Sequence, residues 1–196
     1  MERGTLYFGF DDSNHAGETR GEIIVATYSW DRKDSVVKGR PNTRNHSRAL
    51  SWVDSEGRGM VFTILTHYEN RHVSYNLPLV APYLVERVLE IQGDEKPKNI
   101  NLYFDGNFSS LDRKILRKDF KKSFPEIVID NFIKKRNMRK RPHCPNVVYK
   151  ADNLANYFFS NGLDNLLGDE RMVTIDEADL AKRMKLFRSS RKSPRS

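Results

Sequence analysis

Two apolar runs in this chain break off at an aspartate. LYFGF, residues 6–10, runs into Asp11 and Asp12, and NINLYF, residues 99–104, runs into Asp105. Tyr7, Phe8 and Phe10 suit a pleated sheet, and both faces of the first run are apolar, as in a central strand. Gly9 within it points to a close backbone approach. A carboxylate at the end of a central strand costs desolvation unless something positive pairs with it. Either aspartate alone could simply open a turn. If the two strands are parallel neighbours, however, Asp11 and Asp105 lie side by side, and two adjacent anions need a cation between them.

The rest of the pattern bears on whether the strands can be neighbours. Glu22–Trp30 reads as a second strand, joined to Leu6–Asp11 as an antiparallel pair through the polar connection Ser13–Gly21. Asp31–Arg48 is expected to be a long basic loop, with a short helix over Ser47–Val53, and Gly59–His67 is a third strand. The period then changes. Leu77, Val80, Ala81, Leu84, Val88 and Ile91 recur at helical spacing over Leu77–Gln92, with Pro78 and Pro82 restricting the helix start and Gly93 a stop. Asn99–Phe104 is the fourth strand, Ser110–Ser123 a basic amphipathic helix, and Ile127–Asp130 a fifth strand that again ends in an acid. Lys134–Pro145 reads as a basic loop, Val147–Tyr149 as a short extended piece, and Ala151–Phe159 as a helix. Thr174–Glu177 has the form of a capping box opening a last helix to about Phe187.

The order implies an α/β domain: a meander of three strands, then strands alternating with helices as parallel additions to the same five-stranded sheet. The expected organisation is one domain over residues 1–168, a C-terminal helix over 169–187 and a disordered basic tail over 188–196.

The chain has 196 residues, 34 Lys and Arg against 26 Asp and Glu, and a net charge of +8. Such a surplus points to a polyanionic partner, nucleic acid above all. Lys134, Lys135, Arg136, Arg139, Lys140 and Arg141 crowd one segment, and Arg113, Arg117 and Lys121 lie on the basic helix, with further cations from Arg32 to Arg48. A solvated face is the usual fate of a charge run. The acids do not balance these runs locally, and two of them flank the aspartates in sequence, which suits phosphate-backbone binding. No run reaches the length of a membrane span. The absence of a signal-peptide pattern and the single Cys144 give a cytoplasmic expectation. His67, His72 and His143 lack zinc spacing, and no phosphate-binding glycine loop occurs. Oxygen donors at Asp11 and Asp105 favour Mg²⁺ or Mn²⁺, and a two-metal carboxylate site suits in-line attack by water on a phosphodiester.

The element order from Leu6 to Phe159 and the phrases GFDDSN, LYFDGN and YKADNLANYFF resemble the ribonuclease-H-like superfamily, which includes integrases and transposases. The Asp-acid-Ser opening and the Ala-Asp-x-Leu-Ala phrase are similar to a prokaryotic branch of it. The resemblance implies metal ligands at Asp11, Asp105 and Asp152, an acid from the first long helix at Glu86 (or Glu90), and nuclease activity. The long loop before the third strand and the competing Asp12 depart from the family pattern. Without the acids, the same fold would be a non-catalytic nucleic-acid-binding module. An aspartyl phosphatase would want an acid where Ser13 stands, and an actin-like ATPase would want glycine-rich phosphate loops.

Overall fold

The computed structural model describes residues 3–13, 21–39, 45–65, 76–105, 110–125, 128–133, 143–176, 178–183 and 185. Its strands are β1 (Arg3–Ser13), β2 (Glu22–Ser29), β3 (Val37–Gly39), β4 (Arg58–Leu65), β5 (Pro97–Phe104), β6 (Val128–Ile133) and β7 (His143–Pro145). Its helices are α1 (His46–Val53), α2 (Asn76–Gln92), α3 (Ser110–Ser123) and α4 (Asn146–Asn161). The main sheet runs β4-β2-β1-β5-β6, and β3 and β7 form a separate pair. β1–β2 and β2–β4 are antiparallel, while β1–β5 and β5–β6 are parallel. The sheet is therefore mixed and flanked by helices, and β1 and β5 are indeed parallel neighbours.

Alternation along β1 sorts its residues between two layers. Leu6, Phe8 and Phe10 face the cluster built with Leu77, Leu84 and Val88 of α2 and Leu116 and Phe120 of α3. Tyr7 packs on the opposite face against Val147 and Val148 of α4. Ile23 and Val25 of β2 meet Ala151, Leu154 and Phe158 there. The sheet is thus covered on both sides, α2 and α3 on one and α4 with α1 on the other, which is why β1 is apolar on both faces.

Several sequence expectations need correction. Val147–Tyr149 is not extended but forms the first turns of α4. Its β-branched pair reads as strand locally, yet both valines are buried against the sheet, and tertiary packing overrides propensity. Residues 31–48 are not one loop. A turn of 3-10 helix spans Arg32–Ser35, and Val37–Gly39 pairs with His143–Pro145. α2 begins at Asn76, so Pro82 lies inside the helix rather than in its first turn. Burial of Leu79, Val80, Leu84 and Val85 offsets the hydrogen bond that Pro82 cannot make. Asp130 does not end its strand: it pairs with Asn101 within β6. The last helix is capped by Asp176, whose Oδ1 accepts from the Ala178 N–H at 2.7 Å, and not by Thr174.

The edge of β4 is covered by chain from beyond α4. The Phe62 N–H donates to the Arg171 carbonyl at 3.1 Å and the Val173 N–H to the Phe62 carbonyl at 2.7 Å, so β4 is not left as an open edge. Further on, Leu180 is buried with the α2–α3 core, and Arg183 lies over the Tyr83 ring. Among the described residues, no helix is long and apolar enough to cross a membrane.

Candidate functional site

The site grows from the register of β1 and β5. Phe10 pairs with Phe104, and their rings stack at 4.6 Å on the α2–α3 side. The Asp105 N–H donates to the Phe10 carbonyl at 3.0 Å, which carries the ladder one step past the strand. Asp11 and Asp105 are thus the next residues on neighbouring parallel strands, with backbones about 4.8 Å apart. Alternation turns both to the α4 side. Asp11 does not end β1, which continues to Ser13; it lies opposite Val25 of β2.

α4 brings the third acid. Its first turn sits directly on Gly9, where an added Cβ would lie 2.2 Å from the Val147 carbonyl carbon and 2.4 Å from the Val148 nitrogen. Gly9 is required by that approach, as its place in an aromatic strand suggested. On β2, opposite Gly9, the Thr27 hydroxyl donates to the Val147 carbonyl at 2.7 Å. With the helix seated at Gly9, Asp152 comes one turn further along, beside the level of Asp11. The rise from Val148 to Asp152 is about 6 Å, close to the span from Gly9 to Asp11 along the strand.

Electrostatics register this gathering. Asp11 is 5% exposed. Burial first, then the charges of Asp105, Asp152 and Asp12, hold its carboxyl well above the ordinary 3.8, against one hydrogen bond from the Asp12 N–H. That bond reaches Asp11 Oδ1 at 2.9 Å. Asp11 Oδ2 is buried and accepts no hydrogen bond from the described residues. Asp152 is half-buried, and its carboxylate is oriented from the next turn: Asn156 Nδ2 donates to its Oδ1 at 3.0 Å and to its carbonyl at 2.7 Å. Among the described residues, no group of three or more His, Cys, Asp or Glu side chains is yet gathered closely enough to hold an ion.

The other candidates separate from this trio. Glu86 is exposed on α2, the layer opposite α4, and contributes nothing to the field raising Asp11. Glu90 is likewise exposed and pairs with Arg87 at 3.1 Å. On α3, Arg113 is half-buried and Arg117 and Lys121 are exposed. Lys134, Lys135, Arg136, Arg139, Lys140 and Arg141 lie outside the described residues.

A second polar cluster escaped the sequence reading. Asp34, also 5% exposed, accepts from Ser29 Oγ at 2.8 Å, Arg58 Nε at 2.8 Å, Asn146 Nδ2 at 2.6 Å and Trp52 Nε1 at 3.3 Å. Burial pushes its carboxyl up, but the bonds from Arg58, Ser29 and Asn146 and the Arg58 charge outweigh that and leave it below its ordinary value. Every strong donor is satisfied within the protein, so this cluster fastens the start of α4 to β2 and β4. Nothing local marks it, because Asn146 is 112 residues from Asp34.

Compared with known proteins, the chain matches no protein-family model and no curated sequence.

Proposed function

We propose that this protein is a metal-dependent nuclease of the ribonuclease-H-like type, with Asp11, Asp105 and Asp152 as its cation-binding residues. The observation that carries this reading is Asp11. It is a buried carboxylate with one oxygen unpartnered among the described residues, its pKa raised first by that burial and then by the charges of Asp105, just past β5, and Asp152 on α4. A stability-driven fold has little reason to collect three like charges around a buried position. The donors fit a hard divalent cation: all are oxygen, all are anionic, and the deficit at Asp11 is of positive charge. As they stand, the described side chains form no group of three or more that could hold an ion, so binding would have to draw the three carboxylates closer together. The β4-β2-β1-β5-β6 order, with its antiparallel first half and parallel second half, also supports the ribonuclease-H-like reading.

Asp11, Asp105 and Asp152 would hold Mg²⁺ or Mn²⁺. Bound there, the cation would supply activation of water and charge stabilisation for hydrolysis of a phosphodiester bond in RNA or DNA. The chain's own groups prepare the site. Asn156 fixes the Asp152 carboxylate. The Gly9–Val147 contact and the Thr27 hydroxyl set the height of α4. Arg117 and Lys121 offer exposed cations for the phosphate backbone.

The test is single-turnover cleavage of labelled RNA and DNA, single- and double-stranded, with Mg²⁺ or Mn²⁺ and with a chelator. Cleavage that needs the divalent ion and is lost in Asp11→Asn is expected. Binding with no cleavage of any substrate would replace this reading with a non-catalytic nucleic-acid-binding module.

A further inference from the structure

A second buried oxygen lies beside the trio. Ser13 is 1% exposed, and its Oγ makes no hydrogen bond with the described residues. It stands two residues beyond Asp11 on β1, so strand alternation turns it to the same side of the sheet. It lies opposite Ile23 of β2, and Ile23 packs against α4. Asp11 Oδ2 and Ser13 Oγ are therefore two buried, unpartnered oxygens that follow one another on one face of one strand. Leaving a buried hydroxyl unpaired costs its desolvation with no return, and a serine that merely turned the chain would expose its hydroxyl or bond it to nearby backbone.

We infer that Ser13 belongs to the cation site, its hydroxyl serving as a neutral oxygen donor to the ion's coordination shell beside Asp11; this rests on the metal-dependent reading above. Charge decides the kind of ligand. The field around Asp11 is negative, from Asp105, Asp152 and Asp12, which repels an anion and attracts a cation. Burial agrees, because a hydroxyl with almost no exposed surface is closed to the phosphate of a polymer. Chemistry agrees too, since hydroxyls complete shells of hard cations and add no charge to a cluster already rich in it.

The experiment measures Mn²⁺ affinity of the full-length protein by electron paramagnetic resonance, with melting curves in chelator. Wild type, Ser13→Ala and Asp11→Asn are compared. The expected result is that Ser13→Ala weakens Mn²⁺ binding about tenfold or more while melting in chelator at the wild-type temperature or above, because only an unpaired hydroxyl has been removed. Asp11→Asn should abolish the same binding. Wild-type Mn²⁺ affinity in Ser13→Ala, with Asp11→Asn still defective, would overturn this inference and leave the carboxylate site standing. A Ser13→Ala protein that melts markedly lower in chelator, or fails to fold, would make Ser13 a structural residue and also overturn it. Mn²⁺ binding indifferent to Asp11→Asn would remove both readings together.

Discussion

Asp11 and Asp34 are equally buried aspartates set to opposite purposes. Asp34 is ringed by donors and held below its ordinary value, whereas Asp11 is ringed by anions and held above it. Their linkage to pH therefore has opposite signs. For Asp34, the stability contribution is present above the unfolded value of 3.8 and is lost as pH falls through the lower folded value. For Asp11, the folded state favours the proton, so the contribution is present below 3.8 and is lost as pH rises through the raised folded value. Asp11→Asn in metal-free buffer should remove that loss and stabilise the protein by about 1 kcal/mol at neutral pH, an increase in Tm of about 2–4 °C. Melting curves from acidic to neutral pH in chelator check this: the variant's advantage must grow as pH rises. Asp34→Ala should do the reverse and cost about 3 kcal/mol, since it takes the acceptor from Arg58 Nε, the Ser29 hydroxyl and the Asn146 amide. Chemical denaturation at neutral pH measures that loss.

At the scale of elements, the placement of α4 decides whether the trio exists. The strand and its glycine were legible, because LYFGF combines central-strand character with one residue that has no reason to be glycine except close packing. The helix start was not legible. Val147 and Val148 favour a strand locally, and only the fit on Gly9, the Thr27 bond and the Asp34–Asn146 bond make them helical. Asp11 and Asp105 were readable as side-by-side acids on parallel neighbours, although Asp11 lies within β1 rather than at its end. Asp152 entered only through resemblance, and the placement of Glu86 on the layer away from α4 was not legible, because periodicity gives a helix face but not the side of the sheet the helix covers. Ser13 reads in the sequence only as the start of a polar connection, since its burial is a property of the fold and leaves no mark on the chain. Gly9→Ala follows at this scale. The new methyl would meet backbone atoms that have no rotamer to adopt, so α4 must lift. A loss of about 3 kcal/mol is expected, and any protein that still folds should have lost Mn²⁺ affinity, because Asp152 rises with the helix. Wild-type stability in this variant would contradict the seating described for α4.

For the whole molecule, a net charge of +8 coexists with a locally negative surrounding at Asp11, a distribution that on the proposed reading would suit a polyanion at the surface and a cation at the centre. α3 packs through Leu116 and Phe120 and leaves Lys114, Arg117, Lys118, Lys121 and Lys122 exposed. Replacing Arg117 and Lys121 with Ala should weaken nucleic-acid binding irrespective of sequence. It should also flatten the logarithmic salt dependence by about 0.9 for each duplex phosphate that is no longer neutralised. Fluorescence-anisotropy titrations between low and physiological salt read both effects, and unchanged slopes would take α3 off the binding surface. Above these, the central claim is that Asp11, Asp105 and Asp152 form one cation site. Anomalous diffraction from crystals soaked in Mn²⁺ tests it most directly. A manganese peak is expected within about 2.0–2.6 Å of carboxylate oxygens of Asp11 and Asp105, with Asp152 in the same shell. A fully soaked crystal with no peak there, or with Asp11 bonded instead to a protein donor, would contradict it.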